Sequence, residues 1–358
     1  MSEIYYLCRG QDDNIGDVVL RRVLARWSAE CGRIHVFMGA ASETFVASTL
    51  ASVGGDVKVY TSKRKWMIGL FRDTLRGRGV LVFNPGEQRL EMRTAFSLVP
   101  LLTIQALARL KGGRPALRVG VCLKRTVGLG SRLSETLVRQ SVRMSAVNAW
   151  RDTETTVRFP GRPSCDLAFA EGLQEREVSI ARKRQILAVS LRPDRPLDLA
   201  FAADVISSFA HAHQLVVVFV VQVRRDADLA RRMSKLVPES RVLDWPRQVG
   251  HGEQEAAVRA LYRESRYVVS DRIHALIVAV TEGSIPIGFA SASDSKTRTH
   301  LSAAGMLHPE WSREEANAED LTEFAAFASE TPAWGDPLRA ARAELAVVHE
   351  KFVEAARG

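Results

Sequence analysis

The chain has 358 residues, 46% of them hydrophobic and 25% charged, which is enough for two domains with apolar cores. No apolar run in the sequence approaches the roughly 20 residues of a membrane-spanning helix. The net charge of +9 suits an anionic partner: a nucleic acid, a phospholipid surface or a phosphorylated small molecule. Because aromatic residues do not interleave with the basic clusters, we expect no nucleic-acid partner.

The amino-terminal segment and the cysteines point to a cytoplasmic protein. The first nine residues lack the basic stretch and the long apolar run of a signal peptide. The four cysteines are far apart and form no CxxC pair: Cys8, Cys31, Cys122 and Cys165. We therefore expect reduced thiols, without structural zinc or disulfide bonds.

The first half of the chain alternates strand-like and helix-like segments. Residues 4–8 predict a strand, and an amphipathic helix follows, with Val19, Leu20, Val23, Leu24 and Trp27 on one side. Further strands are predicted at 34–38, 57–60, 80–83, 118–122 and 146–150. Such alternation is typical of a doubly wound parallel sheet.

A charged segment at about 171–185 is interpreted as a linker, and the pattern then restarts. Strands are predicted at 186–191, 215–221, 242–243, 267–269 and 285–289, and helices at 199–211 and 253–263. We thus predict an α/β protein with two parallel-sheet domains, residues 1–175 and 186–335, and a C-terminal amphipathic helix at 336–358. Ligands would bind in a cleft between the two sets of strand ends.

The turn at 270–274 contains more charged and polar side chains than a strand-to-helix connection needs in order to fold. Ser270 and Asp271 are residue types that cap a helix, and Arg272 and His274 follow at once. A helix N-terminus at the carboxyl edge of a parallel sheet attracts anions. Other polar side chains also follow predicted strands and are candidates for the same ligand site: Asp13, Asn14, Asp17, Glu87, Arg192 and Lys296.

Several of these motifs, taken in order, resemble those of the polysaccharide pyruvyl transferase family. The resemblance runs from about residue 4 to about residue 310. It rests on Asn-Ile-Gly-Asp at 14–17, Asn-Pro-Gly-Glu-Gln at 84–88, Arg-Asp at 151–152 with Asp-Leu-Ala-Phe at 166–169, Ser-Leu-Arg at 190–192, Ser-Asp-Arg-Ile-His-Ala at 270–275 and the lysine at 296. It implies two Rossmann-like domains in a GT-B-like arrangement.

The resemblance also implies an activity: transfer of pyruvate from phosphoenolpyruvate onto two hydroxyls of a sugar in a cell-surface polysaccharide precursor. Arg192 and Arg272 would bind the donor together with Lys296, and His274 would deliver the proton. Asp13, Asp17 or Glu87 would deprotonate the acceptor, and Asn14, Gly16, Gly86, Ser270 and Asp271 would line the substrate site. We expect neither a metal nor a cofactor.

The expected partners are phosphoenolpyruvate and a glycan or lipid-linked sugar acceptor, with contact with the inner membrane face, where basic residues would help docking. Two alternatives remain open. One is a GT-B glycosyltransferase that uses a nucleotide sugar, because the same fold and cations would serve a diphosphate. The other is a non-catalytic glycan-binding protein.

Overall fold

The structure, a computed structural model, describes residues 2–112, 116–173, 184–290, 296–306, 310–312 and 335–358. The chain forms two compact units. The first comprises Met1–Asp12, Asp17–Leu167 and Ala343–Gly358, and the second comprises Asp13–Gly16 and Ala168–Arg342. Most of the predicted linker, residues 174–183, lies outside the described residues.

The first unit is built on a parallel sheet in the order β3-β2-β1-β4-β6-β7-β8, with β5 paired to β6. Its strands are β1 (Ser2–Leu7), β2 (Gly32–Phe37), β3 (Val57–Tyr60), β4 (Gly79–Val82), β5 (Gly86–Leu90), β6 (Ala116–Arg125), β7 (Ser145–Trp150) and β8 (Arg162–Pro163). Its helices are α1 (Ile15–Cys31), α2 (Glu43–Thr49), α3 (Lys63–Leu75), α4 (Met92–Leu110), α5 (Leu129–Arg143) and α6 (Thr153–Arg158).

The second unit has its own parallel sheet, in the order β11-β10-β9-β12-β13-β14. Its strands are β9 (Ile186–Ser190), β10 (Val216–Val220), β11 (Arg241–Leu243), β12 (Ser265–Ser270), β13 (Ile285–Ala290) and β14 (Glu310–Ser312). Its helices are α7 (Leu199–Ala212), α8 (Ala227–Leu236), α9 (His251–Glu264), α10 (Ile273–Thr281) and α11 (Lys296–Ala303). Two doubly wound parallel sheets confirm the predicted α/β class.

Buried apolar faces hold the helices against these sheets. The predicted face of α1 is buried at all five positions, from Val19 to Trp27. The C-terminal helix α12 (Gly335–Arg357) contributes Leu345, Val348 and Phe352 to the interior. Burying apolar area of this kind is the main term that stabilises such units.

All four cysteines are buried, and none of them forms a disulfide bond. Within the described part of the chain, no helix combines the length and the apolar character that crossing a bilayer requires.

One segment differs from its prediction. Glu87 was predicted to follow the strand at 80–83 as a candidate for the ligand site, but β5 begins at Gly86 and places Glu87 inside a further strand that pairs with β6. Gly86 has φ +103°, a left-handed conformation that glycine adopts without strain, and it redirects the chain from the end of β4 into this pairing.

Each sheet has a point at which the order of its strands reverses. In the second unit β9 lies between β10 and β12, so that the chain leaves β9 to one side and returns to the other side at β12. In the first unit the same reversal lies between β1 and β4. Open parallel sheets bind ligands outside the carboxyl ends of the strands at such points.

Candidate functional site

The ends of β9 and β12 are joined at the strand-order reversal of the second unit. Ser270 Oγ donates to the carbonyl oxygen of Ser190 at 2.5 Å, and Arg192 N–H donates to Asp271 Oδ1 at 3.1 Å. Ser270 and Asp271 are both buried. Their hydrogen bonds hold the ends of β9 and β12 together and place Arg192 and Arg272 at this edge of the sheet.

The prediction that Ser270 or Asp271 caps α10 needs correction. Arg272 occupies the N-cap position with an extended backbone, and no side chain caps the helix. Ser270 Oγ accepts instead from Arg272 N–H at 3.0 Å, and Asp271 serves Arg192. The first turn of this nine-residue helix therefore begins at the sheet edge without a side-chain cap, and its dipole favours an anion there.

Arg272 binds a carboxylate that sequence reasoning missed. Its Nε and Nη2 donate to the two oxygens of Asp226 at 2.5 and 2.6 Å, and the side chains are only 10% and 2% exposed. Asp226 lies in the turn that follows β10. Burial raises the pKa of Asp226, and the guanidinium group of Arg272 opposes that rise. The charged pair after the apolar run at 215–221, Arg224-Arg225, was the available signal for this turn.

Arg192 forms a second two-pronged pair at the same edge. Its Nε and Nη2 donate to Asp194 at 2.6 and 2.5 Å, and these hydrogen bonds lower the pKa of Asp194 to about 2. Arg192 and Arg272 thus use the same two nitrogens for their carboxylates. Among the described residues, the Nη1 group of each has no hydrogen-bond acceptor, so each guanidinium keeps donors for a ligand.

His274 lies against the segment 13–16, which belongs to the second unit. A Cβ atom placed on Gly16 would lie 2.5 Å from His274 Cβ and 2.8 Å from its Nδ1. Only glycine fits at this position. Asn14 caps α1, since its Oδ1 accepts from Gly16 N–H at 2.9 Å.

The segment 13–16 is fastened to the turn after β10. Arg224 N–H donates to the carbonyl oxygen of Asp13 at 2.8 Å, and Arg225 forms an ion pair with the Asp13 carboxylate at 3.4 Å. Asn14 also forms a backbone bridge with Val223. The structure therefore brings Asp13, Asn14, Gly16 and His274 together with the turn that holds Asp226.

The other predicted carboxylates lie in the first unit. Asp17 accepts from Gln11 N–H at 2.6 Å and pairs with the buried Arg21 at 3.2 Å. Glu87 on β5 pairs with Arg89 at 3.6 Å. Lys296 is the first residue of α11, and its side chain lies outside the described residues.

The strand-order reversal of the first unit has its own polar contacts. Arg9 N–H, just beyond β1, donates to Asn84 Oδ1, just beyond β4, at 3.1 Å. Arg21 Nε donates to the carbonyl oxygen of Arg9 at 2.7 Å. The sequence prediction included the motif at 84–88 but not Arg9, because only the strand order brings these two residues together.

One group in the first unit has metal-ligand side chains, Glu3, His35 and Asp73, with ligand atoms within 4.8 Å of one another. His35 Nε2 already lies 2.7 Å from Glu3 Oε2, and Asp73 pairs with three arginines at 3.3–3.5 Å: Arg72, Arg76 and Arg78. Because three cations surround the Asp73 carboxylate, the group reads as an internal polar network.

Comparison with solved structures shows the fold. The kitacinnamycin glycotransferase matches at 13% identity over 99% of this chain and 97% of its own, with a TM-score of 0.51. The UDP-GlcNAc 2-epimerase from Neisseria meningitidis, bound to UDP-GlcNAc, matches at 10% identity over 98% and 100%, with a TM-score of 0.58. Anabaena HepE, in complex with UDP and glucose, matches at 12% identity over 100% and 97%, with a TM-score of 0.50. The fold is of the GT-B class.

No protein-family model and no curated relative matches the sequence. The GT-B fold confirms the predicted pair of Rossmann-like domains. The resemblance to the pyruvyl transferase family itself stays a prediction.

The predicted transfer of pyruvate from phosphoenolpyruvate is wrong, because the matching folds are those of glycosyltransferases and UDP-GlcNAc 2-epimerases. The site also differs from the expected one. Arg192 and Arg272 were predicted to bind a trianionic phosphoenolpyruvate, but Asp194 and Asp226 offset their charges. Two of the matching structures contain UDP-GlcNAc or UDP with glucose.

Proposed function

We propose that the protein is a glycosyltransferase that takes a nucleotide sugar as donor and binds its diphosphate at the N-terminus of α10. The observation that carries the proposal is the uncapped first turn of α10 at the strand-order reversal, with Arg192 and Arg272 at the same sheet edge. Helix N–H groups and the helix dipole suit phosphate oxygens, and the reversal is the usual ligand position in such sheets.

The charge at this edge suits a diphosphate ester. Two arginines and three carboxylates, Asp194, Asp226 and Asp271, leave no excess positive charge at this edge, so the attraction comes from oriented N–H groups of α10 and from the two Nη1 groups. The carboxylates hold each guanidinium in a fixed orientation, which lowers the entropy lost when a ligand binds. A donor with two phosphate charges needs less cationic charge than phosphoenolpyruvate does.

The reaction would proceed by attack of an acceptor hydroxyl on the anomeric carbon of the donor sugar. The new C–O bond forms as the bond from that carbon to the diphosphate breaks, the nucleoside diphosphate leaves, and the hydroxyl proton passes to a base. His274 is our candidate for that base, since a ring nitrogen of a neutral imidazole can accept a proton and its ring is half-buried beside Gly16.

The acceptor would be a glycan hydroxyl, free or lipid-linked. The carboxyl edge of the first unit, where Arg9 and Asn84 meet, is our candidate for its site, because strand-order reversals are ligand positions. Two of the structurally similar proteins were solved with UDP or a UDP sugar, so uridine nucleotides are the first donors to test.

The test is calorimetric titration of the protein with UDP, a panel of UDP, GDP and dTDP sugars, and phosphoenolpyruvate. We expect one nucleotide class to bind and phosphoenolpyruvate not to bind. Arg272→Ala should weaken nucleotide binding, and mass spectrometry with glycan acceptors should detect transfer of the donor sugar.

Three results would overturn the proposal. The first is binding of glycans without any nucleotide, which would favour the binding-only alternative. The second is binding of no nucleotide at all. The third is conversion of UDP-GlcNAc to its 2-epimer without an acceptor, as measured by proton NMR. This result would assign the protein to the epimerases.

A further inference from the structure

The helices α4 and α5 of the first unit expose apolar side chains that a water-facing surface does not need. On α4, Met92, Phe96 and Val99 are exposed at spacings of four and three residues, so they share one face. Phe96 is 70% exposed. On and just before α5, three more apolar side chains are exposed: Val127, Leu129 and Leu133. We call these six residues the α4–α5 patch.

Direct contacts join the two parts of the patch. Thr126 Oγ1 donates to the carbonyl oxygen of Leu90, and β5 pairs with β6 up to Leu90 and Arg125. A Cβ atom placed on Gly130 would lie 2.9 Å from Met92 N, so the start of α5 lies directly against the start of α4. The six apolar side chains therefore belong to one continuous surface of the first unit.

The surroundings of the patch are basic. Residues 89–99 and 124–133 together contain five basic residues, Arg89, Arg93, Lys124, Arg125 and Arg132, and one acidic residue, Glu91. Two of the five pair with carboxylates just outside these segments, Arg89 with Glu87 and Arg125 with Glu135. Arg93, Lys124 and Arg132 are exposed and form no ion pair with the described residues. Exposed apolar side chains with exposed cations close by in the sequence match the boundary between acyl chains and anionic headgroups.

We propose that the α4–α5 patch docks the protein onto the surface of a bilayer that contains anionic phospholipid. Phe96 and Leu129 would enter the acyl boundary, while Arg93, Lys124 and Arg132 would bind headgroup phosphates. The charge excess selects this occupant over an apolar protein surface, which would leave three cations unpaired. The inference goes beyond the proposed function and does not depend on a nucleotide donor.

The position of the patch determines which edge of the first sheet would lie near the membrane. Arg89, Leu90, Lys124 and Arg125 are the last residues of β5 and β6, so the patch lies at the carboxyl edge of the first sheet. Because all strands of this sheet are parallel, Arg9 and Asn84 lie at the same edge. A docked protein would hold that edge near the membrane, where a lipid-linked sugar would be presented.

The test is co-sedimentation of the full-length protein with vesicles of phosphatidylcholine, with or without phosphatidylglycerol. We expect binding to the anionic vesicles that weakens as salt rises. The variant Phe96→Ser/Leu129→Ser should bind at least about tenfold more weakly. The matched control is Val157→Ser on α6, which alters an apolar side chain that is 82% exposed outside the patch and should bind like the parent.

Further measurements distinguish membrane docking from a loss of folding and from dimer formation. Circular dichroism must show that Phe96→Ser/Leu129→Ser is folded. A second variant, Arg93→Gln/Arg132→Gln, tests the cations independently, and we expect its vesicle binding to depend less on salt. The inference is overturned if the parent binds no anionic vesicle, or if the double variant binds as the parent does. It is also overturned if light scattering shows a dimer that the double variant dissociates. Nucleotide binding, measured separately, should be unchanged in both double variants.

Discussion

Arg272 and Asp226 form a buried two-pronged ion pair that reaches across the end of β9, with N–O distances of 2.5 and 2.6 Å. One partner precedes α10 and the other follows β10, so the pair links the two strands that flank β9. It orients the guanidinium of Arg272 and leaves its Nη1 for a ligand. The same ion pair therefore stabilises the second unit and orients a guanidinium group that we propose to bind the diphosphate.

Asp226→Asn should destabilise the second unit. The change leaves the buried guanidinium of Arg272 without its counter-charge, which costs about 3 kcal/mol in comparable buried pairs. Urea unfolding at neutral pH measures the loss. Asp244→Asn serves as the control, because its partner Arg231 is half exposed and the pair contributes little. Equal stability of the two variants would contradict the role given to the buried pair.

Arg192→Ala should weaken binding of the nucleotide donor by about tenfold or more, because a charge-assisted hydrogen bond to phosphate is lost. Calorimetry with the donor identified in the screen gives the dissociation constant. Arg231→Ala removes an exposed arginine of α8 and should leave the constant unchanged. An unchanged constant in Arg192→Ala would place the diphosphate elsewhere.

Gly16→Ala should impair both folding and turnover, since the added methyl would lie 2.5 Å from His274 Cβ. Alanine favours the helix at this position by about 1 kcal/mol, so the clash must exceed that gain, and we expect a net loss of about 1–3 kcal/mol. The control is Gly54→Ala, where no atom beyond the two adjacent residues lies within 4 Å of the new Cβ. Thermal unfolding and sugar-transfer rate report the two effects, and a stabilised Gly16→Ala protein would refute the close contact.

His213 should make stability fall on acidification. Burial, and to a smaller extent the charge of Arg266, lower the pKa of His213 below its ordinary value of 6.5. The unfolded chain then binds more protons than the folded chain just below that pH, so stability present above it is lost as the pH falls. His213→Gln should flatten this part of the profile. Urea midpoints at about pH 7.5 and about pH 5 test it, and an unchanged slope would count against it.

The sequence predicted the features that depend on residues close together in the chain. Strands buried on both faces read as continuous apolar runs, and the spacing of apolar residues in α1 marked its buried face. The contacts of the site were harder to foresee. Asp226 and Arg272 are 46 residues apart, and only the strand order β10-β9-β12 makes them neighbours. Glu87 was misplaced because its pairing with β6 depends on a glycine turn and a distant strand.

The buried cysteines of this protein have a practical consequence. Burial raises the pKa of the Cys8 thiol to about 12 and that of Cys165 well above its usual range, so at neutral pH almost no thiolate forms at either. Maleimide dyes should leave the native protein unlabelled. A solvent-sensitive fluorophore attached to Ser97→Cys, beside Phe96, would then report the depth of that helix in a lipid bilayer against a dark background.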